Sequence, residues 1–376
     1  MQHTAGLSGV LRAVARDRNC ELYRIGEDQF LLHIPEALRE DAQVTAAIAL
    51  DAVRDYRIQL SHNRIIANIT ASVGIALYPF HGADWDSLLA NLDNATCQAK
   101  DDGRNRVALF NPASDALRAN NRRLHWSGLI EEAIARDDLT LYFQPAVQIR
   151  SRQAVHREVF LRIPDDKGRL ADAVQFMLTA EAAGLAPALD QRVVARVLTQ
   201  LHEDSGGSLP YSVNLSANSI ANSDWVLEIE DMVRGSEINP ERLIFEITEK
   251  AAMENVDATA HFIERLRPAG ARFALDDFGA GFSSFYYLKR FAVDILKIDG
   301  GFTRDLDANA ESRAFLRAVN GLAQDIGHIV IAKAVENGEV LKPLKETGTQ
   351  YAQGHWFAPA RPLLQTAQDD GTSISA

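Results

Sequence analysis

"ESRAFLRAVNGLAQDIGHIVIAKAVE", residues 311–336, contains one full period of the pattern that decides the fold. Phe315, Leu316, Val319, Leu322 and Ala323 recur at three- and four-residue spacing, which predicts a helix with one apolar face. "HIVIAK" (328–333) then reads as a buried strand with Lys333 at its exit. The same alternation extends back to about Leu139. Strand-like runs are "TLYFQPAV", "REVFLRI", "YSVNLS", "RLIFEIT", "RFALDD" and "DILKID", and helical patterns separate most of them. Alternating strands and helices argue for a parallel sheet with helices outside it. Seven or eight such units predict a closed (β/α)8 barrel.

The residues before the barrel read as an α+β segment. "CELYRI" and "QFLLHI" are two strands around the turn "GED", and "IIANITASVGIALYP" reads as another strand pair. "DWDSLLANLDNATCQAK" is a helix with Leu88, Leu89, Leu92 and Ala95 on its apolar stripe. Pro112 is expected to break the pattern. A long helix follows, with Leu117, Leu124, Ile130 and Ile134 at helical spacing. The expected boundaries are a domain at 1–112, a linker helix at 113–137, the barrel at 138–364 and a polar, disordered tail at 365–376.

Several functional classes are excluded by the totals. The 376 residues carry a net charge of -12, which does not suit a broad nucleic-acid surface. Cys20 and Cys97 have no pairing or zinc spacing, so a reduced, cytoplasmic setting is expected. The first residues lack the pattern of a signal peptide, and no apolar run reaches the roughly 20 residues that span a bilayer.

In such barrels the chemistry sits where strands end. Period-two alternation puts Glu158, Phe160 and Arg162 on one face, and Val159, Leu161 and Ile163 on the other. The exits add Asn214, Glu246, Asp276, Asp277, Lys297, Lys333 and Gln353, with Gln144 near the first. Oxygen-rich clusters suit magnesium or manganese, and two such ions about 4 Å apart activate water against a phosphodiester. The lysines and Arg162 suit the phosphates themselves. "DDFGAGFSS" is glycine-rich but lacks a P-loop lysine, so it does not predict a triphosphate site.

These residues resemble the EAL family of cyclic di-GMP phosphodiesterases, whose fold is a TIM-like barrel. "FQP", "EVFLR", "VNLSA", "FEITE", "DDFGAGFSS", "LKID", "AKAVE" and "QGHWFAPA" stand in the family's order and spacing over about 139–362. By that resemblance Glu158, Asn214, Glu246, Asp276 and Asp277 match metal ligands, Lys297 and Gln353 match catalytic positions, and Glu249 matches the residue that steadies the "DDFGAG" loop. The N-terminal segment resembles the later part of a GGDEF, or diguanylate cyclase, domain through "YRIGEDQF", "ASVGIALYP" and "AKDDGRNRVALF". The family's first strand and metal-binding aspartate are absent, which reads as an N-terminally truncated domain.

The departures shape the expected function. Glu27 and Gln29 replace a glycine and an acid of the cyclase signature, so cyclase activity is not expected. In the barrel, "AKAVE" stands where active members read "AEGVE": Lys333 replaces a glutamate and Ala334 a glycine. Ala280 replaces the usual threonine of the loop, and Phe160 a leucine. The combination is similar to the FimX-type branch. It implies a degenerate, catalytically inactive cyclic di-GMP receptor in which the ligand set Glu158, Asn214, Glu246, Asp276 and Asp277 is vestigial, as are Lys297, Lys333 and Gln353. Magnesium or manganese binding is then weak or lost, and no cofactor is required. The ligand contacts implied are Gln144, Phe160, Leu161, Arg162, Asp190 and Glu336. The implied partners are a PilZ-domain protein and the type IV pilus assembly machinery, with a role in twitching motility. The alternatives are a slow metal-dependent phosphodiesterase or a ligand-free scaffold.

Overall fold

The computed structural model describes residues 2–25, 29–60, 64–204, 206–281, 288 and 290–362. The turn bearing Glu27, the stretch Phe282–Ser284 of the glycine-rich loop and the tail 365–376 lie outside the described residues. The chain divides into two compact units, Met1–Arg122 and Arg123–Ala376. No helix among the described residues is long and apolar enough to cross a membrane.

The first unit runs α1 (Gln2–Asp17), β1 (Glu21–Arg24), β2 (Phe30–His33), α2 (Arg39–Asp55), β3 (Arg57–Leu60), β4 (Arg64–Asn68), β5 (Val73–Ile75), α3 (Trp85–Asp101) and β6 (Val107–Leu109). β1 and β2 form the expected hairpin, Arg24 opposite Phe30. The second expected pair does not form. β4 pairs with β3, and β5 pairs in parallel with β6. The sequence "IIANITASVGI" supplies two strands, but each finds its partner elsewhere. α3 starts where Asp84 Oδ1 accepts from Ser87 N at 2.8 Å, an N-cap that satisfies one of the free N–H groups of the first turn.

Pro112 opens a helix where a break was expected: α4 spans Pro112–Arg136. A proline at the first helical position loses only an N–H that has no partner there, and Asn111 Oδ1 accepts from Ala113 N at 3.1 Å. Ile130 on α4 is fully buried, whereas Leu117 and Leu124 are exposed.

The second unit is a closed eight-stranded barrel. Its elements are β7 (Thr140–Gln148), β8 (Ala154–Pro164), β9 (Leu170–Asp172), α5 (Ala173–Ala182), α6 (Ala186–Glu203), β10 (Tyr211–Leu215), α7 (Ala217–Ala221), α8 (Ser223–Gly235), β11 (Leu243–Thr248), α9 (Glu249–Glu254), α10 (Val256–Leu266), β12 (Arg272–Phe278), β13 (Ile295–Ile298), α11 (Gly300–Arg304), α12 (Ala310–Ile326), β14 (Ile329–Ala332), α13 (Leu341–Glu346), β15 (Tyr351–Ala352) and β16 (Arg361–Pro362). The ring runs β7-β15-β14-β13-β12-β11-β10-β8 and closes by pairing β8 with β7. The expected parallel sheet holds around the ring except at β7, and outside the ring β9 runs antiparallel to β8 and β16 to β7. β7 is antiparallel to both its ring neighbours, β8 and β15. Only five residues, 149–153, join β7 to β8. That is enough for a hairpin and too short for a helical crossover.

Alternation along the strands builds two cores. Val159, Leu161, Val213, Phe245, Phe273, Leu296 and Val330 pack outward in the layer shared with the helices. Burying a side chain of this size contributes roughly 1.5–3 kcal/mol. Ala146, Ile244, Ala274, Ile295 and Ile331 form a separate apolar cluster. Each of these five stands two residues from a polar residue named above: Gln144, Glu246, Asp276, Lys297 and Lys333. Side chains two apart share a face, so a polar layer lies on top of an apolar lumen layer.

Candidate active site

Lys297 on β13 is completely buried, and its Nζ donates to Glu158 Oε2 at 2.6 Å and Glu246 Oε2 at 2.5 Å. Glu158 on β8 also accepts from Asn214 Nδ2 at 2.9 Å and Gln353 Nε2 at 2.8 Å. Gln144 links in from β7, its Oε1 accepting from Gln353 Nε2 at 3.2 Å. Side chains carried on or just after six strands of the ring are thus linked around one ammonium and two carboxylates.

The acids of "ALDD" reach the same mouth by a distortion. A regular strand would send Asp276 and Asp277 to opposite faces. Here the register of β12 against β13 shifts between Leu275 and Phe278, and Asp277 takes φ 53°, in the left-handed region. This bulge brings both carboxylates to Lys333, whose Nζ lies 2.7 Å from Asp276 Oδ1, Asp276 Oδ2 and Asp277 Oδ1. Glu249 opens α9 and accepts from Gly279 N at 2.9 Å, holding the chain just after the bulge.

The acids fit a divalent ion. One oxygen from each of Glu158, Glu246 and Asp276 lies within 4.8 Å of the others, and all three residues are buried. Among the described residues Glu246 Oε1 and Gln353 Oε1 have no hydrogen-bond partner. An orphaned buried oxygen costs about 1–3 kcal/mol, a penalty that a bound cation removes. Hard oxygen donors suit magnesium or manganese, which would supply Lewis acidity and an activated water. Glu158, Glu246 and Asp276 would hold the ion, with the Asn214 amide beside them.

The protonation states follow from burial and charge. Burial would raise Glu158, but Lys297 and then Lys333 outweigh it and hold this carboxyl well below its ordinary value. Burial and the Glu158 charge push Glu246 up. Burial works against the Lys297 ammonium, yet Glu158, Glu246 and Asp276 keep its pKa above the usual lysine value. Lys333 is also raised, Asp276 outweighing its partial burial. His156, two residues before Glu158, is a lumen residue that the sequence reading did not single out. Its Nε2 is 3.9 Å from Glu246 Oε1, and burial followed by Lys297 lowers its pKa to about 3, so it is neutral. Its place on the Glu158 face was the available signal.

The remaining predicted residues make no hydrogen bond to this cluster. Arg162 pairs with Asp172 on β9 and lies 5.2 Å from the centre of the Tyr142 ring. Phe160 is half-buried on the Glu158 face, while the Leu161 side chain packs in the outer helical layer. Asp190 on α6 is buried, and its Oδ2 accepts from Ser216 N at 2.9 Å and Ser219 Oγ at 2.6 Å. Glu336 is exposed, 3.7 Å from Arg304 Nε.

The EAL domain family matches residues 129–360, and the family described as diguanylate cyclase, GGDEF domain, matches residues 5–106. The chain is 30% identical over 382 residues to the cyclic di-GMP phosphodiesterase PdeB of Shewanella oneidensis, covering 99% of this chain and 44% of PdeB. It spans about half the length of the curated relatives it matches. The PaMucR phosphodiesterase in its c-di-GMP complex is 29% identical with a TM-score of 0.60, over 64% of this chain and 99% of that one. The Xanthomonas citri FimX EAL domain in complex with c-diGMP is 25% identical with a TM-score of 0.60, over 66% of this chain and 98% of that one. PdeB and PaMucR are both named phosphodiesterases, and this overturns the expectation that the chain is not an enzyme. Lys333 alone does not decide against catalysis, because one oxygen from each of Glu158, Glu246 and Asp276 still lies within 4.8 Å of the others. The chain belongs to the EAL domain family, with a GGDEF domain ahead of its EAL barrel.

Proposed function

We propose that this chain is a slow, metal-dependent cyclic di-GMP phosphodiesterase. The observation that carries the reading is the convergence of Glu158, Glu246 and Asp276, with Glu246 Oε1 left free to bind an ion. In the reaction a water oxygen bonds to phosphorus, one ribose–phosphate ester bond breaks, and the departing ribose oxygen takes up a proton. The product is a linear dinucleotide. Lys297 holds Glu158 and Glu246 in position for the ion. Arg162, once released from Asp172, offers a fork to a phosphate, and Phe160 offers a wall to a base. Gln144, Asp190 and Glu336 are the proposed guanine-side contacts, with Leu161 contributing through its backbone. Lys333 slows turnover by competing for Asp276 and Asp277.

The test is incubation with cyclic di-GMP in manganese, in magnesium and in EDTA, followed by chromatography. Linear product with either metal and none in EDTA is expected. Intact substrate after long incubation with both metals would overturn the reading. Calorimetry in EDTA separately measures ligand binding, and an absence of heat would point to a scaffold.

A PilZ-domain partner, with a cytoplasmic role in type IV pilus assembly and twitching motility, extends the proposal. Its support is the FimX-type motif resemblance and the likeness to the FimX EAL domain. Pull-downs with PilZ-domain proteins, with and without cyclic di-GMP, test it; failure of all of them would remove this extension alone.

A further inference from the structure

We infer that the centre is built for one divalent ion, with the Lys333 ammonium holding the place of a second cation. The inference takes from the phosphodiesterase reading only that the acids bind metal. An ammonium has three N–H donors, and all three of Lys333 are spent on Asp276 Oδ1, Asp276 Oδ2 and Asp277 Oδ1, each at 2.7 Å. The side chain is largely buried, so this is a seated ion pair and not a solvated lysine passing over the mouth. Glu158 and Glu246 complete the three-acid group with Asp276, and Glu246 Oε1 is buried without a partner. The shared aspartate is therefore already paired with a cation of the chain's own, while Glu246 keeps an open oxygen for an ion.

The charges lead to the same count. Glu158, Glu246, Asp276 and Asp277 face two ammonium groups, Lys297 and Lys333. Counted as carboxylates, the four acids exceed the two ammonium groups by two negative charges, which one divalent ion neutralises. A second ion would leave the buried centre net positive and would have to eject Lys333 from all three of its hydrogen bonds. In Lys333→Glu, five carboxylates would face one ammonium, and the four remaining negative charges would match two divalent ions. A phosphate entering the native site meets one metal ion and one ammonium. The ammonium brings charge but no water to activate.

The experiment is a count of Mn²⁺ retained per chain after dialysis, together with the electron paramagnetic resonance spectrum of the bound ion. One isolated ion is expected in the wild type. Two ions with a spin-coupled spectrum are expected in Lys333→Glu. Two retained ions in the wild type would overturn the inference, and that count needs no variant. A single ion in a folded Lys333→Glu protein would also overturn it. Lys333→Gln serves if the glutamate variant does not fold: a second ion at least tenfold weaker than the first is expected, and one ion at millimolar Mn²⁺ would count against the inference. Two ions in a wild type that hydrolyses cyclic di-GMP would remove this inference and leave the phosphodiesterase reading intact. No retained ion in any of these proteins would remove both.

Discussion

Lys333 Nζ sits 2.7 Å from both carboxylate oxygens of Asp276, and Asp276 also belongs to the group that can hold a metal ion. Asp276 lies in β12 and Lys333 directly follows β14, so the pair reaches across β13, the strand that carries Lys297. A charge-assisted contact of this kind is strong because it is partly desolvated. The same acid cannot give both its oxygens to Lys333 and serve a metal ion fully. Metal affinity and the hold on Lys333 are therefore coupled.

Asp190 should give stability a measurable pH dependence. Burial raises its pKa from 3.8 to about 6, against the pull of Ser219 and Ser216. A carboxyl raised on folding contributes stability that is complete below about pH 4 and lost as pH rises through about 6. The rise corresponds to about 3 kcal/mol. Asp190→Asn retains a side-chain acceptor and does not titrate. Melting temperatures of both proteins from pH 4 to 8 should show the wild type losing ground to the variant as pH rises. Parallel curves would contradict the assignment.

Ala334 is held at φ 55°, where an alanine is strained by roughly 1–2 kcal/mol and glycine is not. Ala334→Gly should recover that strain, less the roughly 0.4–1 kcal/mol by which glycine favours the unfolded chain. A net gain of about 0.5–1 kcal/mol is expected, visible as a rise of a few degrees in melting temperature. Gly300 limits the alternative repair, since a Cβ there would come within 2.7 Å of the Ala334 Cβ. A lower melting temperature in Ala334→Gly would mean that Ala334 makes contacts worth more than its strain.

Much of the barrel was legible because period-two alternation and helical spacing are local signals. "YSVNLS", "RLIFEIT" and "RFALDD" became β10, β11 and β12, and the polar residues at their ends fall in one layer. What escaped was non-local. Nothing in "LYFQPAV" shows that β7 runs against its neighbours; that follows from the shortness of the link to β8. Nor does "ALDD" show the bulge that turns Asp277 toward Lys333, since a bulge is defined by the register of the neighbouring strand. "IIANITASVGI" holds two strands whose partners, Arg57–Leu60 and Val107–Leu109, lie outside it. The pairing of Arg162 with Asp172 depends on β9 folding back on β8, where the two residues stand opposite each other.

That pairing sets opposite effects for two substitutions. Arg162→Ala should weaken cyclic di-GMP binding by at least tenfold, because a charge-assisted contact to phosphate contributes about 1.5–3 kcal/mol. Asp172→Asn should strengthen binding, because Arg162 no longer has to leave a carboxylate. Asp172 is more than half exposed, so the gain is bounded by the roughly 0–1 kcal/mol of a surface ion pair, about fivefold at most. Calorimetry in EDTA measures both. Unchanged affinity in Arg162→Ala would remove the residue from the ligand site.

Lys333→Glu should speed hydrolysis of cyclic di-GMP by at least tenfold in manganese. Two unit charges 4 Å apart at an effective dielectric of 20 interact by about 4 kcal/mol, and a lysine facing a divalent ion is opposed about twice as strongly. A quarter of that is still enough to weaken an ion's binding more than tenfold. The substitution removes the repulsion, frees Asp276 and Asp277, and adds a carboxylate at the exit of β14. The gain should stop short of full activity. Ala334 holds a strained backbone next to the new glutamate, and Ala280 and Phe160 alter the loop and the wall against which the ligand would rest. Small displacements of a reacting phosphate carry large rate costs. The measurement is linear dinucleotide formed per minute by wild type and variant at saturating manganese. Equal rates, with the variant shown to bind the ligand normally, would mean that Lys333 yields to the metal at no cost and that the slow step lies elsewhere.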